Sequence, residues 1–169
     1  MFIFNIGGLL HKHQGSKVDF DINAVLKLDP QDGVVLTEPV KGHVQILKLP
    51  HELNVQIKNL HTEAKCECAR CLESFTCTVD VPLVSREFII DLQERDIGEN
   101  EEVDYIEKNR NEIDLGPMVR EEILLHFPII PLCFEGCKGL CDKCGINLNS
   151  KTCSCPRDTE VRLTPFKLP

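Results

Sequence analysis

Residues 53–81 read LNVQIKNLHTEAKCECARCLESFTCTVDV. Leu53, Val55 and Ile57 alternate with Asn54, Gln56 and Lys58, the period of a strand with one buried face. His61 to Cys68 leads directly into the turn Cys68-Ala-Arg-Cys71. Phe75, Cys77, Val79 and Val81 form another alternating set, which continues through Leu83 to Ile90. Strand patterns on both sides of a Cys-x2-Cys turn predict an antiparallel sheet that carries a metal-type knuckle.

Working outward, Val18, Phe20 and Ile22 alternate with Asp19, Asp21 and Asn23, and Val34-Val35-Leu36 follows the turn signal Asp32-Gly33. Val44 and Ile46 share one face, Leu47 and Leu49 the other, and Pro50 ends the run. The opening MFIFNIGGLL has no basic segment before it and no small-residue cleavage site after it, so it reads as a first strand and not as an export signal. Residues 91 to 113 read as an acidic, solvated bridge. Asp114 is placed to cap a helix, with Pro117 in its first turn and Leu115, Met118, Val119 and Ile123 as its apolar stripe; Pro128 stops it near His126. The expected fold class is α+β. It comprises an antiparallel sheet (a meander or partly closed barrel), one main helix, and a cysteine-rich, zinc-ordered C-terminal tail. Residues 1–132 form the sheet-plus-helix domain and residues 133–169 the tail packed on it.

That tail carries most of the chemistry. The chain has ten cysteines, and six of them lie in Cys133-x3-Cys137, Cys141-Asp-Lys-Cys144 and Cys153-Ser-Cys155. A short Cys-x2-Cys turn aims two sulfurs at one metal, and two such turns complete a tetrahedral shell. Without an export signal the cysteines sit in a reducing compartment, where metal thiolates are favoured over disulfides. Gly145 directly follows Cys144, where a knuckle turn often needs a left-handed residue. Cys141, Cys144, Cys153 and Cys155 are assigned to one zinc. Cys68, Cys71, Cys133 and Cys137 make a second shell that staples the helix exit to the sheet; the alternative is a single site shared by the six tail cysteines. Cys66 and Cys77 suit strand interiors and read as small buried residues, not ligands.

The formal charge is -8, which speaks against a general nucleic-acid binder. The charge is uneven. Ten acidic and three basic residues lie between Asp91 and Asp114, whereas six Lys or Arg face three Asp or Glu from Lys138 to Pro169. No apolar run approaches the roughly 18 residues of a membrane span. The six histidines form no His-Glu-x-x-His pair, Gly7-Gly8 lacks the lysine and helix of a phosphate loop, and no Gly-x-Ser-x-Gly occurs. Cys68-Ala-Arg-Cys71 follows a strand, whereas a redox pair needs an exposed thiol at a helix N-terminus.

Four segments occur in order: Cys68-Ala-Arg-Cys-Leu-Glu-Ser-Phe75, Ile113-Asp-Leu-Gly-Pro-Met-Val-Arg-Glu-Glu-Ile-Leu-Leu125, Pro128 to Cys133, and Gly139-Leu-Cys-Asp-Lys-Cys-Gly-Ile-Asn-Leu-Asn149. In this the chain resembles the YceD-like family, bacterial and plastid proteins linked to accumulation of the large-subunit (23S) ribosomal RNA. The resemblance is close over the second half, and Cys66 and Cys77 lie outside its pattern. It implies a non-enzymatic ribosome biogenesis factor; together with the cysteine spacing and the missing export signal, the expectation is a cytoplasmic protein with one or two structural zinc ions, whose partners are large-subunit rRNA or a ribosomal protein. Lys138, Lys143, Lys151 and Arg157 are the candidate phosphate contacts; the plainer reading is that they solubilise the tail. A zinc-stabilised protein–protein adaptor is the main alternative, and a thiol redox or zinc enzyme a further one.

Overall fold

The computed structural model describes residues 2–90, 106 and 111–156. The elements are β1 (Ile3–Asn5), α1 (Gly7–Leu10), β2 (Lys17–Ala24), a 3-10 turn (Pro30–Asp32), β3 (Val35–Leu36), β4 (Val40–Lys48), β5 (Glu52–Glu67), β6 (Ser74–Ile89), β7 (Glu112–Asp114) and α2 (Gly116–His126). β4, β5 and β6 form an antiparallel meander; β2 extends it beyond β4, and β3 pairs with the far end of β5. β1 and β7 pair separately as a two-stranded sheet. Among the described residues no helix is long and apolar enough to cross a membrane.

One face of the sheet is the core. Ile22, Val44, Ile46, Leu53, Val55, Ile57 and Phe88 are buried there together with Met118, Val119 and Ile123 of α2. Ion pairs fix the helix: Arg120 donates to both oxygens of Asp32, and Arg86 Nη2 lies 2.7 Å from Glu121 Oε2.

β5 and β6 are each 16 residues long and do not keep one pleat. The ladder runs from Glu52↔Ile89 to Lys58↔Leu83, skips Asn59 and Pro82, and resumes at Leu60↔Val81. Asn59 takes a left-handed φ of 50°, which asparagine tolerates better than most residues, and Pro82 has no N–H to donate. β4 answers with its own register shift between Lys41 and His43. Because alternate side chains face opposite ways, this break exchanges which residues of β5 point into the core, odd-numbered below it and even-numbered above it. Below it Leu53, Val55 and Ile57 are buried; above it Leu60, Thr62, Ala64, Cys66 and Cys68 are.

Four expectations need correcting. The alternation read through Leu83 reverses at Pro82, so Leu83 is exposed. The opening is a strand of only three residues followed by α1, because Asn5 Oδ1 accepts the Gly7 N–H at 3.0 Å and the Ile6 carbonyl accepts from Leu9 and Leu10. Asp114 belongs to β7 and Leu115 occupies the helix cap position, yet Asp114 Oδ1 still accepts the Gly116 N–H at 2.8 Å. Cys66 and Cys77 lie diagonally across β5 and β6 with Cα atoms 6.2 Å apart and are joined by a disulfide. Most of the acidic bridge lies outside the described residues, although Ile106 is buried in the core.

Candidate metal centre

The upper half of the β5–β6 ribbon ends in the turn from Cys68 to Glu73. The Cys68 N–H donates to the Glu73 carbonyl at 2.9 Å, and the Leu72 N–H to the Cys68 carbonyl at 2.9 Å. The chain leaving α2 returns to this turn, where the Ala69 N–H donates to the Pro131 carbonyl at 2.9 Å. Cys133 and Cys137 are thereby set against the hairpin tip. The Cys68 and Cys137 sulfurs lie 3.7 Å apart, and those of Cys71 and Cys133 3.6 Å apart. All four lie within 4.8 Å of one another. A tetrahedral site with metal–sulfur bonds of about 2.3 Å needs sulfurs about 3.8 Å apart, so the set fits a divalent ion. Cys68, Cys71 and Cys137 are buried, packed with Phe75, Leu132 and Leu140 in a small core of their own.

The second set is Cys141, Cys144, Cys153 and Cys155, again within 4.8 Å of one another, with the Cys141 and Cys153 sulfurs 3.5 Å apart. It is more open: Cys144 is exposed, and Cys141, Cys153 and Cys155 border a hollow of about 250 Å³. Its turn repeats the first. The Gly145 N–H donates to the Cys141 carbonyl at 2.8 Å, and Gly145 has a φ of 68°. Leu72, the equivalent residue of the first turn, has a φ of 60°.

Two asparagines that the sequence reading gave no role join the sets. Asn149 Oδ1 accepts the Lys138 N–H at 2.7 Å, and Asn149 Nδ2 donates to the Cys137 sulfur at 3.2 Å. Asn147 Nδ2 donates to Glu73 Oε1 at 2.8 Å. Their sequence signal is two short amides two residues apart in a knuckle exit, a pattern suited to bonding backbone groups. Arg70 adds two ties: its Nη1 donates to the Cys137 carbonyl at 2.8 Å, and its carbonyl accepts the Leu140 N–H at 3.1 Å. Gly139, with a φ of 73°, lets the tail approach, since a Cβ there would stand 2.9 Å from the Arg70 carbonyl oxygen.

Within each set the thiols divide their protons. Burial pushes the Cys68 thiol up, but the backbone N–H groups of Cys133, Cys71 and Arg70 outweigh it and lower the pKa to about 6. Burial and protons shared with Cys71, Cys68 and Cys137 push Cys133 up to about 12. In the tail set the backbone N–H groups of Cys144 and Lys143 lower Cys141 to about 7, while the proton shared with Cys144, burial and the Cys144 charge raise Cys155 to about 12. Four sulfurs this close repel one another as thiolates unless a cation lies among them. The all-sulfur donor set suits a soft or borderline metal, and four protein ligands leave no open coordination position.

Of the candidate phosphate contacts, Lys138, Lys143 and Lys151 are exposed. Lys138 and Lys151 border one shallow depression of about 540 Å³ together with Asn149 and Ser150. Arg157 lies outside the described residues.

These features define a mostly antiparallel β-sheet protein with one main helix and two four-cysteine clusters, one joining the tail to the hairpin tip and one within the tail. A family model described as "Large ribosomal RNA subunit accumulation protein YceD" matches residues 58–167, and the chain belongs to that family. Two chloroplast proteins called large ribosomal RNA subunit accumulation protein YCED homolog 1 are similar in part. The one from Arabidopsis thaliana is 43% identical over 47 residues, 28% of this chain and 15% of the relative. The one from Zea mays is 39% identical over 57 residues, 33% of this chain and 20% of the relative. The similarity thus spans a fifth or less of these relatives' length. No solved structure matches the chain.

Proposed function

We propose that this protein is a non-enzymatic ribosome biogenesis factor that promotes 23S rRNA accumulation or large-subunit assembly in the cytoplasm. The observation that carries this reading is the extent of the family match, which includes the hairpin tip and all eight clustered cysteines. Cys68, Cys71, Cys133 and Cys137 would hold one Zn2+, and Cys141, Cys144, Cys153 and Cys155 a second. Both ions are structural in this reading. The tail buries little apolar surface, so the bound ions would supply most of its order. The partner is large-subunit rRNA, a ribosomal protein, or both, with the exposed Lys138, Lys143 and Lys151 as phosphate contacts on the RNA side. The supporting test is depletion followed by complementation. Loss should lower 23S rRNA more than 16S rRNA, and rescue should require the cysteine-rich tail. An unchanged ratio of the two rRNAs after depletion would reject the reading.

A second reading, a zinc-stabilised protein–protein adaptor, is favoured by the formal charge of -8. It predicts a basic protein partner and no loss of either rRNA.

A further inference from the structure

The two four-cysteine sets share one donor chemistry but differ in exposure. In the bridging set Cys68, Cys71 and Cys137 are buried and Cys133 is half-buried, with Phe75, Leu132 and Leu140 packed around them. Asn149 Nδ2 donates to the Cys137 sulfur at 3.2 Å, which ties up a lone pair there. In the tail set Cys144 is exposed, Cys153 and Cys155 are half-buried, and only Cys141 is buried. The hollow of about 250 Å³ beside them is lined by Cys141, Cys153 and Cys155, with Leu140, Asp142, Leu148 and Pro156 completing its wall. A small molecule therefore meets the tail set from two sides, at Cys144 from solvent and at the other three cysteines through the hollow.

Access decides which of two thiolate sets reacts first with a disulfide, because exchange requires a sulfur to be reached along the S–S bond. The four tail sulfurs lie within 4.8 Å of one another, so side-chain rotation can bring two of them to the bond length of about 2.0 Å. The loop of residues 145–152 is held between Cys144 and Cys153. Apart from Lys138, every residue bordering the shallow depression of about 540 Å³ belongs to that loop. The frame of the lysine-bordered depression is thus the tail set itself, whereas the attachment to the hairpin tip rests on the bridging set and on the bond from the Ala69 N–H to the Pro131 carbonyl.

We infer that the tail set is a thiol–disulfide exchange site for small uncharged disulfides, whose reaction there releases the tail ion and loosens the 145–152 loop while the bridging set stays closed. The Cys144 thiolate attacks one sulfur of the disulfide RSSR; the S–S bond breaks, RS⁻ leaves and a Cys144–SR bond forms. A second thiolate of the set, from Cys141, Cys153 or Cys155, attacks the Cys144 sulfur, forms an intramolecular disulfide and expels the second RS⁻. Two cysteine sulfurs are oxidised and one RSSR is reduced to two RS⁻. The ion loses two of its four ligands and with them its hold on the loop. The Asp142 carboxylate on the wall of the hollow disfavours anionic reagents. The inference rests on the proposed zinc loading and adds to it a reactivity that a purely structural ion does not need.

The test uses the full chain, its zinc content measured beforehand, and 4,4′-dithiodipyridine, an uncharged disulfide whose released thione absorbs light. A zinc-responsive dye follows the metal. One equivalent of reagent per chain should release one zinc and two thiones, and peptide mapping should place the new disulfide between Cys144 and another cysteine of the tail set. The second zinc should leave at least tenfold more slowly when more reagent is added. Hydrogen exchange after the first phase should show protection lost over residues 141–156 and kept at Ala69. Cys144→His leaves a Cys3His shell, which also holds zinc, and should slow the first phase at least fivefold. Cys133→His, in the other set, should leave the first phase unchanged. Release of both ions at one rate, or a first disulfide among Cys68, Cys71, Cys133 and Cys137, overturns the inference; so does a zinc-loaded Cys144→His that reacts like the wild type. If Cys144→His does not hold zinc, the mapping and the two rates of the wild type decide alone. A tail set without zinc in the starting protein overturns the loading and this inference together, whereas equal rates from a fully loaded chain overturn this inference only.

Discussion

The sulfurs of Cys71 and Cys133 lie 3.6 Å apart although 62 positions separate them in the chain. One comes from the hairpin between β5 and β6, the other from the connection leaving α2. A cluster built this way joins two parts of the fold, whereas the tail cluster draws all four sulfurs from within 15 consecutive residues, Cys141 to Cys155. The two should fail differently.

If each cluster holds one zinc as proposed, Cys71→Ser should lower the content from two ions per chain to one and release residues 132–140 from the hairpin tip. Cys144→Ser should also remove one ion but, among the described residues, loosen only 138–156. Metal content by mass spectrometry and hydrogen exchange on both variants check this, with protection in β4 and the lower half of β5 maintained in each. Global loss of protection in Cys144→Ser would contradict it.

Zinc uptake should release protons. Without metal, Cys133 and Cys155 hold protons until about pH 12, whereas Cys68 and Cys141 lose theirs near about 6 and about 7. A cation that takes all four sulfurs of a set must displace what remains, so affinity should rise with pH from 6 to 9. Calorimetric titration at pH 8 in two buffers of different ionisation enthalpy should show at least one proton released per ion bound. Identical heats in both buffers would contradict this.

Gly139→Ala and Gly145→Ala should separate strain from collision. Both residues are left-handed, which disfavours an L side chain by about 1–2 kcal/mol. A Cβ at Gly145 meets nothing within 4 Å, but one at Gly139 stands 2.9 Å from a backbone oxygen. Gly145→Ala should show the conformational loss alone; Gly139→Ala should lose more and detach the tail from Arg70. Equal unfolding midpoints for the two variants would count against this account.

His43 should titrate above 6.5. The hydrogen bond with Asp21 favours its charged form most, burial opposes it, and Asp19 adds to the rise. A histidine with a raised folded pKa contributes stability that is fully present below about 6.5 and is lost as pH rises through the folded value. Nuclear magnetic resonance titration of the ring protons should show the midpoint falling in Asp21→Asn. An unmoved midpoint would remove Asp21 as the cause.

If the tail contacts RNA, replacing Lys138, Lys143 and Lys151 together by glutamine should weaken binding and flatten its salt dependence. Each lost phosphate contact removes about 0.7–0.9 from the log–log slope. A slope equal to wild type would move the contact surface elsewhere.

The cysteine spacing made the grouping of sulfurs legible, because a two-residue gap between cysteines limits where their side chains can point. The alternation of Leu53, Val55 and Ile57 made the sheet legible for the same local reason. What spacing could not convey was register. The reversal at Pro82 was hidden because Leu83 continues an apolar series, and the Cys66–Cys77 bridge was hidden because it depends on which residue of β5 lies opposite which of β6. The roles of Asn147 and Asn149 depend on the folded tail meeting Glu73 and Cys137, partners 74 and 12 positions away.

The pleat break at Asn59 and Pro82 makes the ribbon obey an arithmetic of parity. Above it, β5 and β6 are joined rung for rung from Leu60↔Val81 to Glu67↔Ser74. Lengthening or shortening this arm by two residues on each strand would move the knuckle outward or inward and preserve its orientation. A change of one on each strand would turn Cys68 and Cys71 to the opposite face, away from Cys133 and Cys137. By this count, homologous chains should vary in the reach of this arm in even steps, or else carry a second break that restores the parity.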